Sequence, residues 1–369
     1  MIYLRRIGGI SLRYFAGTII VLLYSGFAFY IGWNIKVLLH SYNLYPRQIP
    51  YWVTFFFIAF AFIIGRLHPI LHFLSTIGNY WMLVLQYGLI LCILANLLIW
   101  LTPLSTKVVG TGALAIFVIL FAVGTYFAYT PTVHKTTITI DKEGEPMRVV
   151  MASDFHLGVL SHKGHLEKFV QLSNEQKPDL VMLVGDIVDD DPTRYVKSGM
   201  EDVMSQLQAT YGVYGVLGNH EYYGNKIDEF NKAMKDSGVT ILMDETVELP
   251  NGVYLTGRED LTNKDRQSVT DLKPENTDAP WFVMNHTPND LTEPKEAGVD
   301  FHVSGHTHKG QLWPNHIITE RIFDLGYGYK MFGDMHALVS SGFGFWGPPM
   351  RIGSQAELWV VDIKYTKTK

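Results

Sequence analysis

None of the 35 Asp and Glu residues in this 369-residue chain precedes Asp141. Residues 1–130 hold seven Lys and Arg and no acid, whereas the remainder holds 23 basic against 35 acidic side chains. A chain sorted in this way is neither a uniform soluble globule nor a disordered polymer. The acidic balance of the hydrophilic part repels phosphate backbones, so no nucleic-acid polymer is expected as a partner. The single cysteine, Cys92, lies in an apolar run, which rules out an intrachain disulfide framework and a cysteine zinc site.

Spanning a bilayer takes about 20 helical residues. Four apolar stretches approach that length: Tyr14–Leu39, Ile49–Gly65, Asn79–Leu101 and Val108–Tyr129. Tyr and Trp crowd their ends, as interfacial belts do. A membrane region of about four helices is therefore expected over residues 1–130, the second stretch being the shortest. Arg5-Arg6 before an apolar run has the form of an export signal, but no clean small-residue cleavage site follows and three further apolar stretches do. A retained multi-pass anchor in the cell membrane is the expectation. With four helices both termini share a side, and that side collects Arg5, Arg6, Arg13, Arg66, Lys135 and Lys142 against Lys36, Arg47 and Lys107. This places the hydrophilic domain in the cytoplasm, and a three-helix count would reverse the assignment. His68 and His72 have no acidic or thiolate partner in this region and read as interfacial histidines. The spans carry no mid-membrane charge, which argues against an ion pathway.

From about residue 131 onward the pattern changes to short β-rich runs alternating with polar helical segments, as in an α/β domain. Arg148–Ser153, Leu180–Val184, Val213–Leu217, Trp281–Met284, Phe301–Ser304, Leu338–Ser340 and Ala356–Ile363 read as strands. Lys163–Glu175, Tyr195–Gln208 and Lys226–Ser237 read as helices. Asn251-Gly252 between Thr246–Leu249 and Val253–Thr256 signals a hairpin. Five of the apolar runs end in metal-ligand residue types: Asp154-Phe-His156, Gly185-Asp186, Gly218-Asn219-His220-Glu221, Asn285-His286 and Gly305-His306-Thr-His308. In an extended chain residues i and i+2 share a face, so Asp154 with His156, and His306 with His308, can aim paired side chains into one pocket. Each block alone is ordinary turn chemistry. All five in this order are not.

These five blocks resemble the signature of the calcineurin-like metallophosphoesterases, over about residues 147–363. The segments Gly305–Gln311 and Val339–Arg351 resemble the membrane-associated bacterial branch. Lys309 stands where relatives often carry glycine. The resemblance implies a four-layer αββα sandwich of two mixed sheets, here occupying residues 131–369 behind the helical region. It also implies a two-metal centre, with Asp154, His156, Asp186 and His308 on one ion and Asp186, Asn219, His286 and His306 on the other. Asp186 would bridge. Imidazole and oxygen donors suit Mn²⁺, Fe or Zn²⁺ better than Mg²⁺ or Ca²⁺, with Mn²⁺ the first expectation.

The implied chemistry is hydrolysis of a phosphodiester or pyrophosphate by a metal-activated hydroxide, with Asp186 and His220 as catalytic residues. His220 would protonate the leaving group or stabilise phosphoryl charge, the alternative being that it only orients Asn219 or Asp154. Glu221 reads as a brace rather than a ligand. Arg351 and Lys309 are open to substrate phosphate or to plain solvation. Four helices exceed the needs of a tether, so membrane lipid and a lipid-linked phosphoester, such as the UDP-2,3-diacylglucosamine split by some bacterial members, are the expected partners. The alternatives are a soluble nucleotide diester, an envelope-polymer precursor, or a non-catalytic membrane sensor or scaffold.

Overall fold

The computed structural model describes residues 2–368, with side chains from Phe15 onward except those of Pro69, His72 and Thr368. The reading of His68 with His72, and the side chains of Arg5, Arg6 and Arg13, therefore lie outside the described residues. The chain divides into two compact units, Met1–Ala122 and Val123–Lys369.

The first unit contains α1 (Ile2–Ser41), α2 (Gln48–Ala59), α3 (Ala61–Gly65), α4 (His72–Leu83), α5 (Leu89–Leu101) and most of α6 (Thr106–Tyr129); a π-helical turn at Val84–Gly88 joins α4 to α5. Among the described residues three helices, not the expected four, are long and apolar enough to cross a membrane: Phe15–Ser41, Phe73–Leu101 and Thr106–Tyr129. The stretch Ile49–Gly65 is instead broken at Phe60 into segments of 12 and 5 residues. The break lets α3 press against α4 through small residues. A Cβ on Gly78 would lie 2.3 Å from the Phe62 backbone nitrogen, and one on Gly65 would lie 2.4 Å from Ser75 Oγ. The Tyr51 hydroxyl donates to Gly32 O at 2.5 Å and the Tyr24 hydroxyl to Ala59 O, so α2 runs back alongside α1. Asn96 Nδ2 reaches Tyr30 Oη at 2.7 Å and Asn34 Oδ1 at 2.8 Å, a polar tie between α1 and α5.

The second unit has two six-stranded sheets. One is ordered β1 (Thr132–Gly144), β12 (Glu357–Thr368), β2 (Met147–Ala152), β3 (Leu180–Val184), β4 (Val213–Val216), β5 (Val239–Ile241). The other runs β10 (Gly328–Phe332), β11 (Met335–Val339), β9 (Phe301–Ser304), β8 (Trp281–Met284), β7 (Tyr254–Gly257), β6 (Glu245–Glu248). The strands β2 to β5 are parallel, as are β7, β8, β9 and β11. Alternation along each strand feeds different layers. Val149 and Met151 meet Phe282, Met284 and Val303 between the sheets. Val150 and Ala152 face Leu166 and Phe169 of α7 (Lys163–Glu175), and the same layer holds Phe230 and Met234 of α11 (Ile227–Asp236). On the far side Trp281, Val283 and Ala337 pack with Ala297 of α12 (Thr292–Ala297). This is the αββα sandwich.

Three local differences from the sequence reading have physical causes. The helix expected over Tyr195–Gln208 is split into α8 (Thr193–Lys197) and α9 (Glu201–Met204), because Gly199 adopts φ +63° between them. A further short helix, α10 (Asn219–Gly224), starts directly on the third block. The longest strand pairing, β1 with β12, was not anticipated. β1 alternates ionisable, Thr and Ile residues, and only its parallel partner, 225 positions later in the chain, reveals it.

Two buried histidines set an acid limit on this fold. Burial lowers His165 to about 4, with its ring Nε2 2.8 Å from Phe343 O. Burial lowers His302 to about 3, and neither of its ring nitrogens has a hydrogen-bond partner. An unfolded chain takes up these protons below about 6.5 while the folded one refuses them, so stability falls as pH drops from 6.5 towards 4. We expect His302→Leu to raise the melting temperature at pH 7, by the equivalent of ~1–2 kcal/mol, because an unpaired buried polar group is removed. It should also flatten the acid loss. Melting curves of detergent-purified protein across pH 4–7 check this, and a lower melting temperature with an unchanged slope would refute it.

Candidate metal centre

The five blocks lie at the C-terminal ends of β2, β3, β4, β8 and β9, where an α/β sheet opens its ligand crevice. The expected extended-chain pairing does not occur. Asp154, His156, Asp186, His306 and His308 all have positive φ, between 46° and 67°. Non-glycine residues avoid this region, and its repetition at one place marks a site held by surrounding structure. Asp154 N donates to Gly185 O at 3.0 Å, His156 N to Asp186 O at 2.9 Å, and Gly305 N to His286 O at 2.9 Å. Left-handed turns tied loop to loop, rather than a pleat, converge the side chains.

Asp154, His156 and His308 bring ligand atoms within 4.8 Å of one another, and so do Asp186, His286 and His306. Asp186 Oδ2 stands between the two groups, 3.2 Å from His286 Nε2 and 3.7 Å from His156 Nε2. Asn219 joins the second group, its Oδ1 2.8 Å from His306 Nδ1. All seven residues named from sequence are thus brought together. Two glycines permit the approach. A Cβ on Gly218 would sit 2.2 Å from Asp186 Oδ1, and one on Gly305 2.3 Å from Asp154 Oδ2.

The donor chemistry fits divalent cations. His286 Nδ1 is 2.8 Å from Val184 O, which holds the proton there and turns the Nε2 lone pair inward. That Nε2 has no hydrogen-bond partner despite its closeness to Asp186, and neither has His156 Nδ1. His156 Nε2 and His308 Nε2 face each other at 3.2 Å. Burial lowers His156 to about 3 and His306 to about 4, and also depresses His308, so these rings stay neutral and keep lone pairs to share. Burial pushes Asp154 up to about 6. For Asp186 and His286 burial opposes charge, but their mutual attraction outweighs it, holding the acid low and the imidazole high; a divalent cation there would take the place of the Nε2 proton and meet the same demand for positive charge. Buried carboxylates packed against imidazole lone pairs demand positive charge.

Around this cluster, Glu221 acts as the expected brace. Its carboxylate accepts from the backbone of Gly218, Val188 and Asp186 at 2.7, 3.0 and 3.1 Å, and burial beside Asp186 pushes it up to about 8. His220 N donates to Asp186 Oδ1 at 2.9 Å, while His220 Nδ1 lies 2.6 Å from Asp190 Oδ1. Burial lowers the imidazole, but Asp190, Asp186 and Asp189 overcome it and raise it to about 9. Sequence reasoning missed Asp189 and Asp190. Their position three and four residues after Asp186 was the available signal.

Arg351 reaches neither substrate space nor solvent, contrary to both readings offered for it. It is fully buried and donates to Ser341, Gly342 and Gly344 carbonyls at 2.6–3.2 Å, with Nη2 3.3 Å from His308 Nδ1. Lys309 places its Nζ over the Tyr327 ring at 4.2 Å.

The calcineurin-like phosphoesterase profile matches residues 147–310. An uncharacterised metallophosphoesterase of Aquifex aeolicus is 30% identical over 259 residues, 68% of this chain and 98% of that protein. An uncharacterised metallophosphoesterase of Campylobacter jejuni is 30% identical over 253 residues, 64% of each chain. A transmembrane protein with metallophosphoesterase domain from Danio rerio is 27% identical over 275 residues, 69% of this chain and 61% of that one. The chain spans under two thirds of the length of the Campylobacter relative and 62% of those from Helicobacter pylori. A relative matched at 30% identity over almost its whole length, with the family profile covering the block-bearing strands, makes this chain a member of the calcineurin-like metallophosphoesterases.

Proposed function

We propose that the protein is a membrane-anchored, two-metal phosphoesterase that hydrolyses a phosphodiester or pyrophosphate bond, with a lipid-linked substrate as the first reading. The observation that carries it is the convergence of Asp154, His156, Asp186, Asn219, His286, His306 and His308 into two adjoining groups, with Asp186 Oδ2 3.2 Å from His286 Nε2 in one and 3.7 Å from His156 Nε2 in the other. Asp154, His156, Asp186 and His308 would hold one ion, and Asp186, Asn219, His286 and His306 the other. Bound Mn²⁺, Fe or Zn²⁺, with Mn²⁺ favoured, would supply Lewis-acid charge to the phosphoryl oxygens and lower the pKa of water there.

The protein's own residues do the rest. Asp190 holds His220 Nδ1, which leaves Nε2 to give a proton to the departing oxygen. The Asp186 carboxylate accepts from the His220 backbone and so fixes that ring relative to the cluster. The cytoplasmic placement expected from four spans is not carried by three, since an odd count puts the two ends of the helical region on opposite sides and reverses the assignment.

Turnover of UDP-2,3-diacylglucosamine against bis(p-nitrophenyl) phosphate, by full-length protein in detergent with added Mn²⁺, tests the reading. Strong preference for the lipid nucleotide supports it, and turnover of the generic diester alone removes that substrate. Asp186→Ala should lower both metal content and activity, the latter on the order of 10³-fold. Full metal content with retained activity would refute the shared role.

Gly218→Ala and Gly305→Ala should each weaken metal affinity about 10–100-fold with the fold intact, because the added methyl displaces a carboxylate. Metal titration by mass spectrometry beside circular dichroism reads both. His220→Ala should keep its metals and lose about 10²–10³-fold in kcat on a diester with an alkyl leaving group. The loss should shrink for p-nitrophenolate, which departs without a proton. Equal losses on both substrates would exclude His220 as the proton donor.

A further inference from the structure

An apolar ridge lies beside the metal-ligand cluster, and the sequence reading assigned it no role. Trp313 and α13 (His316–Ile322) follow directly on the last block. Trp313, Ile317, Ile318, Ile322 and Trp346 are 51, 43, 58, 66 and 54% exposed. Ile318 and Ile322 stand one helical turn apart, Arg321 lies towards their side and Glu320 away from it. A cluster of this kind on a water-facing surface marks an interaction site.

The ridge is continuous with the rim of the site. Phe323 lies edge-on to His306 at 6.0 Å between ring centroids, and Trp346 to His220 at 6.4 Å. The Gln311 side chain clamps Trp346, accepting from its N–H and donating to its carbonyl, each at 2.9 Å. The ridge is equally continuous with the end of a membrane-length helix. Trp313 N donates to Ile352 O at 2.7 Å, and the adjacent Arg351 N donates to Gly124 O of α6 at 2.9 Å. Five residues on, Ala356 N donates to Phe127 O at 3.0 Å. The last turn of α6, part of the second unit, is therefore hydrogen-bonded to the strip that carries Trp313.

We propose that the Trp313–Ile322 segment is an interfacial foot, which enters the lipid leaflet beside the end of α6 and admits amphiphilic phosphoesters to the site from the membrane. Its occupant is the phospholipid leaflet, because the ridge adjoins a bilayer-length helix end and pairs isoleucines and tryptophan with a snorkelling-capable Arg321. This deepens the lipid-linked reading above and rests on it for substrate entry only. Immersion of the foot is independent of turnover.

The single cysteine makes the test direct. In a Cys92→Ser background, Ile318→Cys and Ile322→Cys would carry an environment-sensitive fluorophore, with Lys232→Cys, whose native side chain is 78% exposed, as the aqueous control. The full-length protein would sit in nanodiscs of phosphatidylethanolamine and phosphatidylglycerol. We expect labels at 318 and 322 to be blue-shifted and quenched by doxyl lipids, and the label at 232 to be quenched by aqueous iodide. Iodide quenching at 318 equal to that at 232 overturns the proposal. Shielding from both quenchers with a cross-linked dimer also overturns it, in favour of a second copy of the chain. In the native background, Ile318→Glu with Ile322→Glu should raise KM for a diacyl-lipid phosphodiester about tenfold or more and leave kcat on bis(p-nitrophenyl) phosphate unchanged. An unchanged KM would remove membrane entry. Immersed labels without any lipid turnover would retain the foot and reject the lipid substrate.

Discussion

The Asp186 carboxylate is the point on which the arrangement turns. It is buried, its two oxygens face different groups, and each contact constrains a different loop. One oxygen takes the His220 backbone N–H, and the other faces His156 and His286. Its own N–H is held by Glu221, which also ties Gly218 and Val188. A buried carboxylate so placed is costly without compensating positive charge, and removing one partner leaves the penalty in full. The same demand explains Gly218, whose missing side chain is the space that Asp186 Oδ1 occupies. It also accounts for Gly185 at φ +77°, where a Cβ would strike the His286 ring.

Arg351 performs the complementary task on the other side of the cluster. A fully buried guanidinium needs acceptors, and three backbone carbonyls of the Ser341–Gly344 segment supply them. That segment lies against Asp154 and His308, since a Cβ on Gly342 would meet both, at 2.8 and 3.4 Å. The residue therefore acts through the backbone that shapes the site. Because its own N–H is bonded to Gly124 O, the same residue fastens the end of α6 to the wall of the metal-ligand cluster.

Much of this was legible from sequence, and what was not has a common cause. The five blocks could be read because each interrupts an apolar strand with residue types that strands exclude, and the seven ligand candidates did converge. The manner of convergence could not be read, since left-handed backbone at Asp154 or His308 depends on loop-to-loop hydrogen bonds formed only in the fold. Asp190 was hidden in an acidic run that resembles ordinary surface. Arg351 looked like a surface cation because sequence carries no trace of which carbonyls lack partners. The Ile49–Gly65 stretch had the composition of a span but not its continuity, which α4 decides by pressing on α3 at Gly78. In each case a local signal identified the residue type, and a long-range contact decided what it did.

The junction between helix and sandwich follows the same logic. α6 ends at Tyr129, and β1 begins at Thr132, too short a connection to act as a flexible tether. β1 then pairs in parallel with β12, which itself pairs with β2, the strand that presents Asp154. Tyr129 meanwhile donates to Leu160 O at 3.0 Å and packs edge-on to Phe345 and His165. All of these contacts lie within the second unit and hold the last turn of α6 against it. The ligand loops are thereby held in a defined relation to the end of α6.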